Sequence, residues 1–168
     1  MSSAPPASAY LVGEDGVTTW SDRHAEAWIG LLETHKQLTR MLDAELEARY
    51  GLSLSSLELL ARLGAAPERC LRLSALADAA GLSLSRVSRL AGVLDRRGLI
   101  TREPCSEDAR AVEAHLTRAG LELMRAAQQI HFASVQREFF DRLGAGELEA
   151  LAAVFGRMAP RAAATCTE

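Results

Sequence analysis

Residues 73–117 constrain the fold more than any other stretch: LSALADAAGLSLSRVSRLAGVLDRRGLITREPCSEDARAVEAHLT. Two short amphipathic runs flank Gly81, and two short β-prone runs follow. Ser74 is placed to cap a first helix, with Asp78 near its positive end and Leu76 and Ala80 on one face behind Leu73. Gly81 supplies the backbone freedom to stop that helix and turn sharply. Ser83 then caps a second helix, in which Val87, Leu90, Ala91 and Leu94 fall at i, i+3, i+4 and i+7 and form one buried stripe. Ser85, Arg86, Ser88 and Arg89 point elsewhere, and Arg96 and Arg97 close the last turn before Gly98.

Residues 99–102 and 111–116 read as two strands, and residues 104–108 as the turn between them. A helix-turn-helix tethered to such a hairpin is a winged helix. Charge points the same way. The 168-residue chain carries net −3, yet residues 83–102 hold five arginines and one acid, Asp95, for a local +4. Binding to duplex DNA draws much of its affinity from neutralised phosphates. A solvated arginine face on a surface helix has the same composition; the hairpin that follows favours a helix that lies in a DNA groove.

Four fragments in order carry a family resemblance: Ser85-Arg86-Val87-Ser88-Arg89-Leu90, Leu94-Asp95-Arg96-Arg97-Gly98-Leu99-Ile100, Asp108-Ala109-Arg110 and Leu116-Thr117-Arg118-Ala119-Gly120. In these the chain resembles the MarR family of winged-helix transcription regulators, over about residues 21–159. It departs from the family in having Gly92-Val93 where Asp-Arg is frequent, and Ala109 in the middle of the wing's Asp-Arg-Arg. The fold class expected is mainly α (α+β), a winged head with flanking dimerisation helices. The resemblance implies a homodimer on a pseudo-palindromic operator, repression as the usual outcome, and release by a small organic effector.

The rest of the chain fits that plan. Residues 1–20 mix Ser, Ala, Pro and Gly and read as a flexible tail, partly ordered near Tyr10 to Val12. A long helix begins near Ser21 and runs to Tyr50, with Trp28, Leu31, Leu32, His35, Leu38, Leu42 and Leu46 on one side and Gly51 as its stop. Ser53 or Ser55 opens the next helix, which buries Leu57, Leu60, Ala61 and Leu63 and ends at Gly64 and Pro67. Residues 70–73 are short enough for a third strand. Thr117 starts a helix to about Arg142 with a stripe of Leu121, Met124, Gln128, His131, Val135 and Phe139. Leu148, Leu151, Phe155 and Met158 mark a last helix, and residues 160–168 form a tail. The domain therefore spans residues 21–159: a DNA-binding head at 52–118, with dimerisation helices at 21–50 and 119–159. Those amphipathic flanking helices are best satisfied by one another and by a second copy.

The DNA-facing residues expected are Ser83, Ser85, Arg86, Ser88, Arg89, Arg102, Asp108 and Arg110. Arginine can pair bidentately with guanine in the major groove, while serine reads bases permissively or holds phosphate. Arg89 could equally buttress the hairpin. Arg110 enters the minor groove, oriented by Asp108, and Arg102 and Arg118 reach phosphates. The effector crevice expected is lined by Trp20 or Trp28, His35, Glu58 and Arg86, loosely like family members that bind small organic anions.

Other classes fit less well. There is no Gly-rich phosphate loop, nucleophile elbow or zinc hydrolase motif, so no enzyme and no cofactor are expected. His24, His35, His115 and His131 are scattered, and no metal site is expected from their spacing. Three widely spaced cysteines suggest no disulfide framework. Cys105, placed in the wing turn near Arg102 and Arg110, offers an alternative thiol-redox trigger; a winged helix used for protein contact is another. No apolar run approaches a membrane span and no leader is evident, so a cytoplasmic protein with no membrane partner is expected.

Overall fold

A computed structural model describes residues 9–105 and 111–158. The chain divides into two compact units, one up to Met41 and one from Leu42 onward.

In the first unit, strands β1 (Tyr10–Val12) and β2 (Thr18–Trp20) pair antiparallel, with Tyr10 opposite Trp20 and Val12 opposite Thr18. The expected tail is therefore a hairpin over these residues. Its turn is built locally: Gly13 N donates to Val17 O at 2.8 Å, Val17 N donates to Asp15 Oδ1 at 3.0 Å, and Gly16 takes φ 77°. Asp15-Gly16 before a threonine pair is the signal that reading by composition passed over. Helix α1 (Asp22–Tyr50) begins in this unit, where Trp28, Ile29, Leu31 and Leu32 all stay exposed.

The second unit opens with the end of α1, which buries Leu42 and Leu46. Helix α2 (Leu54–Ala65) is doubly capped: Ser53 Oγ accepts from Ser56 N at 3.1 Å and Asp43 Oδ1 accepts from Leu54 N at 2.7 Å. Of the two serines offered by the sequence, Ser53 is the cap. After a turn at Pro67–Arg69 come β3 (Cys70–Arg72), α3 (Leu73–Ala80) and α4 (Leu84–Arg96). Then follow β4 (Ile100–Pro104), β5 (Val112–Leu116), α5 (Arg118–Glu138) and α6 (Glu147–Met158). The sheet has the order β3-β5-β4 and is antiparallel throughout. Pro104 lies in β4 rather than in the turn, on an edge strand where its missing N–H costs no ladder bond.

The core is almost wholly aliphatic. Leu46, Leu52, Leu59, Leu60 and Leu63 meet Leu76, Val87, Leu94 and Ile100, each at most 1% exposed. Ser74 is not the cap expected: α3 starts one residue earlier, with Arg72 at the cap position and no side-chain bond there. Asp78 consequently falls in the last turn, where its carbonyl accepts from Gly81 N. Helix α5 ends at Glu138, short of Arg142, and a 3₁₀ turn (Phe140–Arg142) takes over; such tightening satisfies terminal carbonyls. Its buried face relies on small residues, Gly120, Ala127 and Ser134, beside Leu121 and Met124. Helix α6 buries none of its residues.

Candidate nucleic-acid interface

Helix α4 separates its two faces as its sequence dictates. Val87, Ala91 and Leu94 are at most 1% exposed, while Ser85, Arg86, Ser88 and Arg89 all face solvent. Gly81 takes φ 63° and ends α3, and Ser83 Oγ accepts from Arg86 N at 3.4 Å to begin α4. Ser83 is thus a cap first, and its Oγ lies 3.2 Å from that of Ser85. Arg86 donates from Nη2 to Ser55 Oγ at 3.3 Å, which steadies its guanidinium from α2. Arg89 has no hydrogen bond or ion pair among the described residues, so it does not buttress the hairpin there.

The other arginines divide the basic excess. Arg97 donates to the carbonyl oxygens of Tyr50 and Gly51 and caps α1. Arg102 is anchored through Nε to Asp95 Oδ2 at 3.0 Å. A side-chain carbon added at Gly92 would stand 3.6 Å from Arg96 Nη1 and 3.8 Å from Arg102 Nη1. Both guanidinium groups thus lie over the glycine that departs from the family pattern, toward the end of the helix, at ordinary contact distance from where its side chain would start. Arg118 pairs with Glu122 at 2.9 Å. Asp108 and Arg110 lie outside the described residues.

At the base of the wing, Cys105 is buried, not an exposed turn thiol. Its neighbouring cation is Arg72, whose Nη2 donates to Cys105 Sγ at 3.3 Å, and not Arg102, which Asp95 holds. The sequence offers Ser55 as a cap and Arg97 as the close of α4 but not the partners they take, and Asp43 not at all, because each acts on a partner set by the fold and not by local spacing.

The expected effector residues are divided between the units. Trp20 lies on β2 and helps line a hollow of about 240 Å³ with Tyr10, Thr18 and Thr19. Trp28 and His35 are exposed on α1. In the second unit, Glu58 pairs with Arg62 at 2.8 Å and lines a cavity of about 330 Å³ together with Leu54, Leu57, Ala61, Gln128, His131 and Phe132. His131 Nδ1 is buried there without a hydrogen-bond partner, and desolvation pushes the imidazole pKa below 6.5.

A sequence model of the MarR family matches residues 50–111. No curated protein matches the chain. Among solved structures, AbsC, a MarR family transcriptional regulator from Streptomyces coelicolor, is 34% identical with a TM-score of 0.76, over 83% of this chain and 94% of that one. Sco3205, a MarR family regulator from the same organism solved in complex with DNA, is 28% identical with a TM-score of 0.78, over 83% and 88%. A mutant MarR from E. coli, solved with operator DNA, shares the fold at 22% identity and a TM-score of 0.69, over 83% and 100%. Sequence identity, coverage and fold agree with the helix-turn-helix and wing described above: the chain belongs to the MarR family of transcription regulators, not to an enzyme family.

Proposed function

We propose that this protein is a homodimeric, sequence-specific DNA-binding repressor. The observation that carries the reading is the exposed Ser85, Arg86, Ser88 and Arg89 face of α4, set opposite its buried Val87, Ala91 and Leu94 stripe. Arg89 meets the major groove with its full donor fork, and Arg86 is held ready by Ser55. Arg96 and Arg102, converging over Gly92, hold a backbone phosphate. Arg110, aligned by Asp108, enters the minor groove. Sco3205, solved with DNA, supports the reading.

The dimer is supported by apolar side chains left exposed within each unit: Trp28, Ile29, Leu31 and Leu32 on α1, and Leu148, Val154, Phe155 and Met158 on α6. Two-fold symmetry sets half-sites about one helical turn, roughly 34 Å, apart. The protein acts in the cytoplasm; none of the described helices is long and apolar enough to cross a membrane.

A small organic effector releases the operator by favouring a head separation that no longer fits it. The cavity beside Glu58 and His131, lined wholly within the second unit, supports such a ligand. Release through Cys105 is the less favoured trigger, since a buried thiol is poorly reached by oxidant.

Binding to the gene's own upstream region, titrated across salt concentrations, tests the reading. A steep salt slope with retained sequence preference supports it; indifference to every duplex overturns it. Sedimentation gives the dimer, which Phe155→Glu should weaken. Thermal-shift screening against aromatic acids and tricarboxylates tests the cavity.

A further inference from the structure

The outer face of the three-stranded sheet carries residues that DNA reading does not use. Along β5, Ala114 and Leu116 enter the core, so Glu113 and His115 face the other way. Cys70 on β3 stands opposite His115, and Arg72 stands opposite Glu113. Thiol, imidazole and carboxylate thereby come together, all half-buried, with one ligand atom from each lying within 4.8 Å of the others.

The spacing suits a tetrahedral ion. Cys70 Sγ lies 3.5 Å from His115 Nε2. Zinc bonded to sulfur at about 2.3 Å and to nitrogen at about 2.0–2.1 Å holds those two atoms about 3.6 Å apart at the tetrahedral angle. The sulfur and nitrogen are therefore already at the edge length of such a site. We propose that Cys70, Glu113 and His115 form a zinc-class metal site with water as the fourth ligand. A sulfur, nitrogen and oxygen donor set selects zinc over calcium or magnesium, which require oxygen ligands throughout.

The surroundings favour a dication. Glu103 on β4 sits directly across from Glu113, a like-charge pair that is unfavourable without a counter-ion. Burial, and then the negative charges of Glu113, Glu68 and Glu103, push the Cys70 thiol up. Among the described residues the cation facing this group is Arg72, and its Nε stands 3.8 Å from Glu113 Oε1 while its Nη2 serves Cys105. The carboxylate is thus loosely held and can turn onto a metal. On binding, Cys70 passes its thiol proton to solvent and the thiolate bonds the ion, so uptake releases protons and strengthens with pH. The site fastens β3 to β5 at the root of the wing and stands independently of how α4 meets DNA.

The test uses the full chain, stripped with chelator and titrated with zinc chloride against a chromophoric competitor, then with cobalt chloride as a spectroscopic probe. The proposal expects one zinc per chain and, with cobalt, a thiolate charge-transfer band with tetrahedral ligand-field bands. Cys70→Ser should abolish that band. His115→Asn and Glu113→Gln should each weaken affinity about tenfold or more, while Cys105→Ser keeps both band and affinity. No stoichiometric uptake by the wild type, or a charge-transfer band that survives Cys70→Ser, overturns the site. Full affinity in Glu113→Gln overturns the carboxylate's part in it. The wild-type spectrum requires no variant, so a variant that fails to fold leaves the test intact, and duplex binding measured separately has no bearing on it.

Discussion

Arg97, at the end of the reading helix, donates from Nη2 to the carbonyl oxygen of Tyr50 at 2.7 Å, and from Nη1 to that of Gly51. Both acceptors belong to the end of α1, where carbonyls have no intrahelical partners. A residue that adds to the basic charge of the head is therefore a clamp between two helix termini. Arg97→Ala should lower unfolding free energy by about 1–2 kcal/mol, since two charge-assisted bonds vanish. Chemical denaturation measures this. The salt slope of duplex binding should stay unchanged, and Arg97→Lys should recover only part of the stability, because an ammonium cannot fork across two carbonyls.

Arg89 predicts the opposite split. Its side chain has no partner among the described residues, so Arg89→Ala should leave the melting temperature nearly unchanged. Operator affinity should fall roughly ten- to a hundred-fold, in the range of one lost bidentate base contact. Fluorescence anisotropy on matched and scrambled duplexes checks it. An equal loss on both duplexes would assign Arg89 to phosphate instead.

Of the described glycines, Gly120 leaves the least room for a side chain. A side-chain carbon there would stand 1.9 Å from Leu99 O and 2.8 Å from Leu116 Cδ1. Thr117 caps this same turn, accepting from Gly120 N at 3.0 Å while its Oγ1 lies 2.8 Å from Gly98 O. The fragment Leu116-Thr117-Arg118-Ala119-Gly120 is thus a cap followed by a close backbone approach. Gly120→Ala should cost about 3 kcal/mol or more, as overpacking against fixed backbone does. Thermal unfolding or loss of soluble protein is the readout.

His131 should make stability fall in acid. Burial lowers its pKa below the ordinary 6.5, so the unfolded chain binds the proton more tightly. Stability is then fully present above 6.5 and declines as pH drops through that value toward the lower folded pKa. His131→Gln should flatten this part of the profile. Denaturation midpoints of both proteins at about pH 7.5 and about pH 5.5 give the comparison.

Local signals made much of the head legible. The spacing of Val87, Ala91 and Leu94, the turn at Gly81, the cap at Ser83 and the helix start at Thr117 each act within a few residues, and each appears in the structure, Thr117 as the cap of α5. What escaped depended on distance along the chain. Arg97 finds its acceptors 46 and 47 residues away, and Cys70 meets His115 across 45. No spacing rule connects such pairs until the sheet and the helix packing exist. The hairpin of β1 and β2 escaped for another reason: three-residue strands are too short to establish a period. Ser74 misled because a serine just inside a helix has the same composition as one that caps it.

The pairing of β3 with β5 makes the reading unit a closed ring of chain, entered at Cys70 and left at Leu116. During synthesis the residues of α4 emerge well before the strand that completes their platform. A nascent chain halted after Cys105 would already contain every DNA-facing side chain of α4 but lack the strand that seats them. Closing so long a segment costs entropy before any contact repays it. Competence for DNA should therefore arise in one late step as β5 docks, and a chain cut within the wing should lose it abruptly.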